Sequence, residues 1–263
     1  MGHGHIISVI NNKGGCGKTT TTVNIADALG KKGKKVLVVD MDSQCNTTSK
    51  LNHSKNITES MYDVLNPENQ NVDLNSFFYP TNYKNVSLIP NLDITGSLEP
   101  SLIESSPESF FKLRDILRNY ATKNYEFTII DNPPNMGTFV LCSLYASDFV
   151  IVPVKAGSTD SVEGLIKATS LIHEIQKKGN PNLKFLRILI NYVDKRTAIS
   201  KAVIEQIRKT FEKDQIFKTE IPVNTSFERA EAKGESIFQN DATSTGARAF
   251  RNLASELISI FGD

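Results

Sequence analysis

The chain has 263 residues, of which 39% are hydrophobic and 22% are charged, so it is long enough to fold around a full hydrophobic core. Its formal net charge of +1 excludes a strongly basic protein, and any contact with nucleic acid must therefore come from a local basic patch. The three cysteines, Cys16, Cys45 and Cys142, have spacings that match neither a metal site nor a disulfide framework, which is typical of a protein from a reducing compartment.

The predicted elements alternate between short apolar runs and longer stretches in which apolar residues recur every three or four positions. The first apolar run leads directly into a glycine-rich segment and then into a helix. The predicted strands are 6–10, 35–40, 86–90, 127–131, 149–154 and 185–191. The predicted helices are 19–32, 108–122, 161–178, 199–213 and 243–261. This alternation predicts an α/β fold, with a mostly parallel sheet, helices on both faces and a ligand site beyond the carboxyl ends of the strands.

Two segments are less regular. Residues 46–85 are rich in Asn, Ser and Thr, with one short helical patch at 59–65, and residues 92–107 carry Gly and Pro with few periodic signals. We interpret both segments as surface excursions rather than linkers between domains. We therefore expect residues 1–263 to form one domain, and no helix-turn-helix pattern precedes the first strand.

The glycine-rich segment between the first strand and the first helix is the most informative part of the chain. Glycines allow consecutive backbone N–H groups to surround an anion, and the start of the following helix adds the positive end of its dipole. Lys18 can reach the outer phosphates of a nucleoside triphosphate, and the Thr19 hydroxyl can ligate Mg²⁺. A dinucleotide loop is excluded because Thr20 stands where its last glycine would fall. The predicted phosphate-binding residues are Gly14, Gly15, Cys16, Gly17, Lys18, Thr19 and Thr20.

Three carboxylates follow predicted strands, at the edge where this architecture places its chemistry. Asp40 and Asp42 come after one apolar run, and Asp131 comes after another. A carboxylate at such a position can hold Mg²⁺ opposite the phosphate loop. An aspartate at a strand end can also cap the turn or helix that follows, so the residues alone leave both roles open.

The phosphate loop departs from the ordinary pattern, because Asn12 replaces its first glycine and Lys13 stands at its entrance. With this second lysine, the loop resembles the deviant Walker A motif of the ParA/MinD superfamily of ATPases. The resemblance covers nearly the whole chain and implies a P-loop NTPase fold with ATP and Mg²⁺ as cofactors. It also extends to two further segments, Asp40-Met41-Asp42-Ser43-Gln44 and Ile130-Asp131-Asn132-Pro133-Pro134.

The resemblance implies a role for each of these residues. Lys13 would reach across a dimer interface to the partner's nucleotide, and Lys18 would hold phosphate. Asp42 would orient the water that attacks ATP in a slow hydrolysis, while Thr19, Asp40 and Asp131 would form the metal site. Ser43 occupies a position where the family usually has proline.

Two later segments, 189–194 and 221–224, are similar to the strand end and the loop that flank the purine in this family. The resemblance implies that Asn191, Pro222 and Asn224 contact adenine. Residues of these types are also common in turns at strand ends, so a purely structural role stays open.

In function, the chain resembles ATPases that partition plasmids or chromosomes. Such a protein would form an ATP-dependent homodimer that binds non-specific DNA on the nucleoid, and a ParB-like centromere-binding protein would release it by stimulating hydrolysis. Three alternatives stay open: positioning of a protein cargo, regulation without hydrolysis, and a membrane-associated role like that of MinD. An iron–sulfur reductase would need cysteines that converge between subunits, and the spacing of these cysteines does not indicate a matched pair.

The DNA surface is predicted from charge alone. A cationic run lies on and before one helix, although scattered lysines on a helix usually form a solvated face. Val223 and Ser226 stand where chromosomal relatives commonly have arginine, so the DNA surface must lie elsewhere. The candidate DNA-binding residues are Arg196, Lys201, Lys209, Arg248 and Arg251.

We expect a cytoplasmic protein without stable membrane association. The N-terminus lacks the order of a signal peptide, and no apolar run approaches the length of a membrane span. Residues 254–263 contain two acids and no lysine or arginine, so the last helix gains little from anionic lipid, and its apolar stripe is expected to pack inward. His3 and His5 suggest a metal site, but histidines near a terminus are more often incidental.

Overall fold

A seven-stranded sheet forms the centre of the protein, in a computed structural model that describes residues 4–52, 56–69 and 72–262. The strand order is β3-β4-β2-β5-β1-β6-β7, and all neighbours are parallel except β3 with β4. The strands are β1 (His5–Val9), β2 (Val36–Asp40), β3 (Tyr79–Pro80), β4 (Val86–Ile89), β5 (Phe127–Asp131), β6 (Phe149–Lys155) and β7 (Lys184–Asn191). The predicted mostly parallel sheet is therefore confirmed.

The central strands are apolar because helices cover both of their faces. Every residue of β2 and β5 is buried, which is the expected burial for strands in the middle of a parallel sheet. In the register of this pair, Asp40 lies directly opposite Asp131, and on the other side of β5 Val9 lies opposite Asp131. Parallel pairing thus places the last residues of β1, β2 and β5 side by side at one edge.

Helices connect the strands and follow the sheet to the end of the chain. Each helix predicted from the sequence is present with bounds shifted by at most a few residues. Ser244, for example, accepts a hydrogen bond from the amide of Ala247 and fixes the start of the last helix. The α-helices are α1 (Lys18–Lys31), α2 (Asn46–Leu51), α3 (Met61–Leu65), α4 (Glu99–Glu104), α5 (Glu108–Asn124), α6 (Thr138–Ala146), α7 (Ser161–Lys178), α8 (Ala198–Thr210), α9 (Thr225–Ala232), α10 (Ile237–Asp241) and α11 (Thr245–Phe261).

Two apolar layers flank the sheet. On one face, α1 and α11 pack together and bury Leu29, Phe250 and Leu253 against the strands. On the other face, α5 and α6 bury residues such as Leu117 and Cys142. The apolar stripe of the last helix therefore faces inward, as the sequence predicts. Within residues 4–52, 56–69 and 72–262, no helix has both the length and the apolar character needed to cross a bilayer.

The two segments that we interpreted as surface excursions are in fact built into the core. They contribute α2, α3, α4, β3 and short 3₁₀ turns, and they bury Leu51, Met61, Phe77 and Leu102. The short helical patch predicted at 59–65 is confirmed as α3. The other elements are too short to show a helical or strand period, so pattern analysis misses them. At the start of α3, Ser60 and Asp63 form a capping box, in which each side chain is hydrogen-bonded to the backbone of the other.

The two histidines that suggested a metal site from the sequence are His3 and His5. The ring of His5 stacks on that of Phe261, with 4.1 Å between the centroids, whereas His3 lies outside the described residues.

We predict that Gly30→Ala destabilises the fold. A Cβ at this position would lie 2.1 Å from the carbonyl oxygen of Lys84, so the end of α1 would have to move away from β4. Overpacking of this kind costs roughly 1–3 kcal/mol, which urea unfolding can measure. Gly157→Ala is the matched control, because a Cβ there would have no neighbour within 4 Å among the residues that the structure describes. Equal unfolding midpoints for the two variants would contradict the prediction.

Candidate functional site

The loop between β1 and α1 has the backbone shape that its glycines predict. Gly15 and Gly17 have φ values of 69° and 88°, in the left-handed region that favours glycine. A Cβ at Gly17 would also lie 2.8 Å from Nδ2 of Asn191. The loop therefore tolerates only glycine at this point, where it passes against β7 and enters α1.

A cleft opens above this loop, at the carboxyl edge of the sheet. Six of the seven predicted phosphate-binding residues, all except Cys16, line it together with Asp42 from the β2 end. The full lining consists of Gly14, Gly15, Gly17, Lys18, Thr19, Thr20, Asp42, Asn46, Pro134, Tyr192 and Glu231. Asn46, Tyr192 and Glu231 are lining residues that sequence reasoning missed, since no motif marks them.

The Lys18 side chain is buried, and its Nζ donates a hydrogen bond to the carbonyl oxygen of Lys13 at 3.1 Å. The Cys16 thiol donates to the same carbonyl at 3.3 Å. Burial raises the pKa of Cys16, so this thiol stays protonated and closes the loop as a hydrogen-bond donor. Both side chains thus hold the loop in a closed turn around its glycines.

The Asp131 carboxylate accepts hydrogen bonds from threonine hydroxyl groups on two helices, α1 and α2. It accepts hydrogen bonds from Thr19 at 2.7 Å, from Thr47 at 2.6 Å and from Thr22 at 3.3 Å. The bond to Thr19 joins the end of β5 to the first turn of α1, while the bond to Thr47 joins it to α2. Sequence reasoning missed Thr47, whose position on a short helix gave no periodic signal.

Asp40 holds the segment that follows β2. Its carboxylate accepts hydrogen bonds from the amide of Thr48 at 2.8 Å, from the Thr48 hydroxyl at 2.7 Å and from the amide of Asp42 at 3.1 Å. Asp42 in turn accepts a hydrogen bond from the amide of Gln44 at 3.0 Å. These bonds fix the turn that presents Asp42 to the cleft.

The buried acids Asp40 and Asp131 have raised pKa values. Burial raises the pKa of Asp40 to about 7, and the neighbouring charge of Asp131 adds to the effect. Burial likewise raises the pKa of Asp131. Two adjacent carboxyl groups with a threonine hydroxyl form a hard oxygen donor set that fits Mg²⁺.

Lys13 lies at the edge of the site. Its Nζ is 2.8 Å from Oδ2 of Asp160, just before α7, and it is not among the residues that line the cleft. This contact lowers the pKa of Asp160 through a hydrogen bond and through charge. The side chain of Lys13 is 32% exposed, so it can leave this ion pair without disturbing the core. Whether it reaches a partner's nucleotide stays a prediction.

An apolar slot continues the cleft between β7 and α11. Asn191 lines it and donates from Nδ2 to the carbonyl of Cys16 at 3.0 Å and to the Thr21 hydroxyl at 3.2 Å. Its Oδ1 is buried and has no hydrogen-bond partner within the described part of the chain, which leaves an acceptor for a ligand. The lining residues are Gly17, Thr20, Asn191, Tyr192, Ile221, Pro222, Phe227 and Phe250.

Of the three residues expected at adenine, Asn191 and Pro222 lie in this slot. Asn224 instead caps α9, because its Oδ1 accepts from the amide of Ser226 at 2.8 Å and its Nδ2 donates to Thr245 at 2.8 Å. It is not among the lining residues of the slot. The structure therefore brings Asn191 and Pro222 together at the slot. Asn224 instead links the start of α9 to the start of α11 by a hydrogen bond.

A basic groove lies on another surface, beside α8. Of the candidate DNA-binding residues, Lys201, Lys209 and Arg248 line the groove or its continuation, but Arg196 and Arg251 do not. Arg196 pairs with Asp194 at 2.8 Å, and Arg251 lies over the ring of Phe238 at 5.6 Å. The cations that line the groove and its continuation are Lys195, Lys201, Arg208, Lys209, Lys218 and Arg248. Lys218 was missed because it lies in the irregular segment after α8, where no periodic pattern marks it.

Comparison with known proteins decides the family. The AAA domain family model matches residues 4–185. The chain is 36% identical over 256 residues to the sporulation initiation inhibitor protein Soj of Bacillus subtilis, with 97% of this chain and 98% of that protein covered. The chain belongs to the ParA/Soj/MinD superfamily of P-loop ATPases.

A second relative and a solved structure agree with this assignment. The chain is 34% identical over 257 residues to the chromosome partitioning protein ParA of Myxococcus xanthus, with 97% of this chain and 88% of that protein covered. The crystal structure of cobyrinic acid a,c-diamide synthase from Mycobacterium smegmatis, with bound ATP analog and magnesium, is similar at a TM-score of 0.82 and 27% identity. That similarity covers 99% of this chain and 96% of the synthase chain. The P-loop fold predicted from the sequence is therefore confirmed.

We predict that Asp40 makes the metal-free ParA-type protein less stable as the pH rises. Its folded pKa of about 7 exceeds its ordinary value of 3.8, so its contribution to stability is complete at low pH and is lost as the pH rises through 7. In Asp40→Asn the side chain does not ionise, so this decrease in stability with rising pH is absent. Between about pH 4.5 and pH 8 the free energy of unfolding should therefore fall less in Asp40→Asn than in the wild type, by at least about 1.4 kcal/mol, the equivalent of one pKa unit.

Urea unfolding with a chelator present measures this difference. Asp115→Asn, at an exposed position on α5, serves as the control and should follow the wild type. If the curves for wild type and Asp40→Asn run parallel across the pH range, Asp40 is ionised in the folded protein and the prediction is wrong.

Proposed function

We propose that this chain is the ATPase of a DNA partition system, acting as one domain that hydrolyses ATP and binds DNA as a homodimer. The observation that carries the proposal is the convergence in one cleft of the glycine loop, Lys18, the Thr19–Asp131 bond and Asp42. The family membership and the partition relative in Myxococcus xanthus support the same function.

In this proposal the triphosphate of ATP lies over residues 14–20, which line the cleft except for Cys16, and backbone N–H groups of the loop and the start of α1 would bind its oxygens. Thr19, Asp131 and Asp40 would hold Mg²⁺, which neutralises charge on the outer phosphates when it is bound. The base would enter the apolar slot, where the Oδ1 of Asn191, which has no partner among the described residues, would accept a hydrogen bond from the amino group of adenine. Pro222 forms part of the wall of that slot.

Hydrolysis needs a water molecule aligned with the outermost phosphate more than it needs covalent help from the protein. Asp42 is the carboxylate that enters the cleft from the turn after β2, and the bonds within that turn hold it in place. We assign to it the role of accepting a hydrogen bond from the attacking water. Lys18 stabilises the negative charge that develops on the phosphate oxygens.

Lys13 would make hydrolysis depend on dimerisation. Within one chain its ammonium group is paired with Asp160 and lies outside the phosphate cleft. Delivery of this cation to the nucleotide of a second subunit would exchange one anionic partner for another that carries more charge. The homodimer would therefore form only when ATP is present.

DNA would bind to the basic groove beside α8. Six cations lie along the groove and its continuation, against Glu205 and Glu220, so the surface carries a local positive excess although the chain is nearly neutral. Contacts from such side chains go to phosphates and carry no sequence information. This would keep the dimer on the nucleoid in the cytoplasm until a ParB-like partner stimulates hydrolysis and releases it.

We predict that Asp42→Ala lowers ATP turnover by about a hundredfold or more, because the water loses its positioned acceptor. ATP affinity should stay within about threefold of the wild type, since the phosphate loop and the base slot are intact. Phosphate release and nucleotide titration measure the two quantities. Asp115→Ala, on the exposed side of α5, controls for surface charge. Unchanged turnover in Asp42→Ala would remove Asp42 from the mechanism.

For the DNA groove, we predict that the double variant Lys201→Glu/Lys209→Glu weakens binding of non-specific duplex DNA in the presence of ATP. Each lost phosphate contact reduces the magnitude of the slope of log affinity against log salt concentration by about 1. The slope of the double variant should therefore be smaller in magnitude by about 2 than that of the wild type. Titrations at several salt concentrations measure this slope. Lys177→Glu, exposed on α7 away from the groove, should keep the wild-type slope. An unchanged slope in the double variant would place the DNA elsewhere.

A further inference from the structure

One face of α9 lines both the apolar slot and the phosphate cleft. Phe227 lines the apolar slot, and Glu231 lines the phosphate cleft. These residues are four positions apart on the helix, so their side chains project from the same face about one turn from each other. The two pockets share Gly17, Thr20 and Tyr192, which mark the junction between them.

The sugar of a nucleotide must occupy this junction, since it connects the base to the phosphates. Of the residues that line the phosphate cleft, Asp42 and Glu231 are the carboxylates. Asp42 belongs to the turn after β2, whereas Glu231 shares its helix face with the wall of the base slot. Glu231 is therefore the carboxylate placed at the sugar.

The charge at Glu231 is already partly balanced. Nζ of Lys50 lies 3.2 Å from its Oε1, and the Lys50 side chain is only 12% exposed, whereas that of Glu231 is 68% exposed. Lys50 and Glu231 line a small cavity together with Glu235, beside the site. A neighbouring cation reduces the repulsion between this carboxylate and the phosphates of a nucleotide bound beside it.

We propose that Glu231 binds the ribose of the nucleotide by accepting hydrogen bonds from its 2′ and 3′ hydroxyl groups. This inference rests on the proposed placement of ATP and deepens it, because it makes the site selective for ribonucleotides. A carboxylate has acceptor capacity only, and a vicinal diol offers two donors that match its two oxygens. The ion pair to Lys50 engages Oε1 and orients the carboxylate for this contact.

A purely structural role makes a different prediction. If Glu231 served only to hold Lys50, and thereby to join α2 to α9, its removal would weaken all nucleotides equally. A ribose contact instead weakens ATP more than either deoxy analogue, because ATP loses two hydrogen bonds to Glu231 whereas each analogue loses one. The quantity that separates the two roles is the ratio of the affinities for ATP and for its deoxy analogues.

The experiment is a titration of the full chain with ATP, 2′-deoxy-ATP and 3′-deoxy-ATP, each with Mg²⁺. In the wild type, ATP should bind about tenfold more tightly than either analogue, as expected for a hydrogen bond to a charged acceptor. In Glu231→Ala this ratio should fall to less than about twofold. Glu228→Ala, on the same helix and exposed, should keep the ratio of the wild type.

Two results would overturn the inference: a wild type that does not distinguish ATP from the deoxy analogues, or a Glu231→Ala variant that keeps the full ratio. Both are distinct from failure of the proposed function, in which the wild type would bind none of the three nucleotides. Thermal unfolding of each variant without nucleotide confirms that the comparison is made between folded proteins.

Discussion

The parallel pairing of β1, β2 and β5 is the constraint on which the rest of the site depends. It places Asp40 opposite Asp131 and brings both to the edge where the phosphate loop leaves β1. Asp131 then becomes the acceptor for hydroxyl groups from α1 and α2. A buried carboxyl group with three such partners fixes the relative positions of the loop, the strand and the segment after β2, before any ligand is bound.

That arrangement also links the nucleotide to parts of the chain that can move. The bonds from Asp40 hold the turn at Asp42, and the ion pair from Lys50 on α2 reaches α9 beside the base slot. The contact between Lys13 and Asp160 lies on the exposed rim, where ion pairs contribute little to stability and can exchange partners. The core of the site is thus rigid, whereas the residue that would respond to a second subunit is held weakly.

Much of the fold could be predicted from the sequence, because central parallel strands are continuous apolar runs and the longer helices have a clear period. The glycine loop and the three aspartates were found for the same reason, since each stands at the end of such a run. Of the short helices in residues 46–107, only α3 was predicted, from the helical patch at 59–65. The others were missed, and so were Thr47 and Lys218, which no periodic pattern marks. Glu231 could be found only from the fold, because its position relative to Phe227 matters only once α9 lies against the site.

The most direct test of the central claim is the molar mass in solution, with Mg²⁺ and a non-hydrolysable ATP analogue. The account predicts that the wild type doubles its mass from 29.1 kDa with the analogue and remains a monomer with ADP. It also predicts that Lys13→Ala binds the analogue but stays at 29.1 kDa. A wild type that is monomeric in every nucleotide state, or a Lys13→Ala variant that dimerises as well as the wild type, would contradict the account.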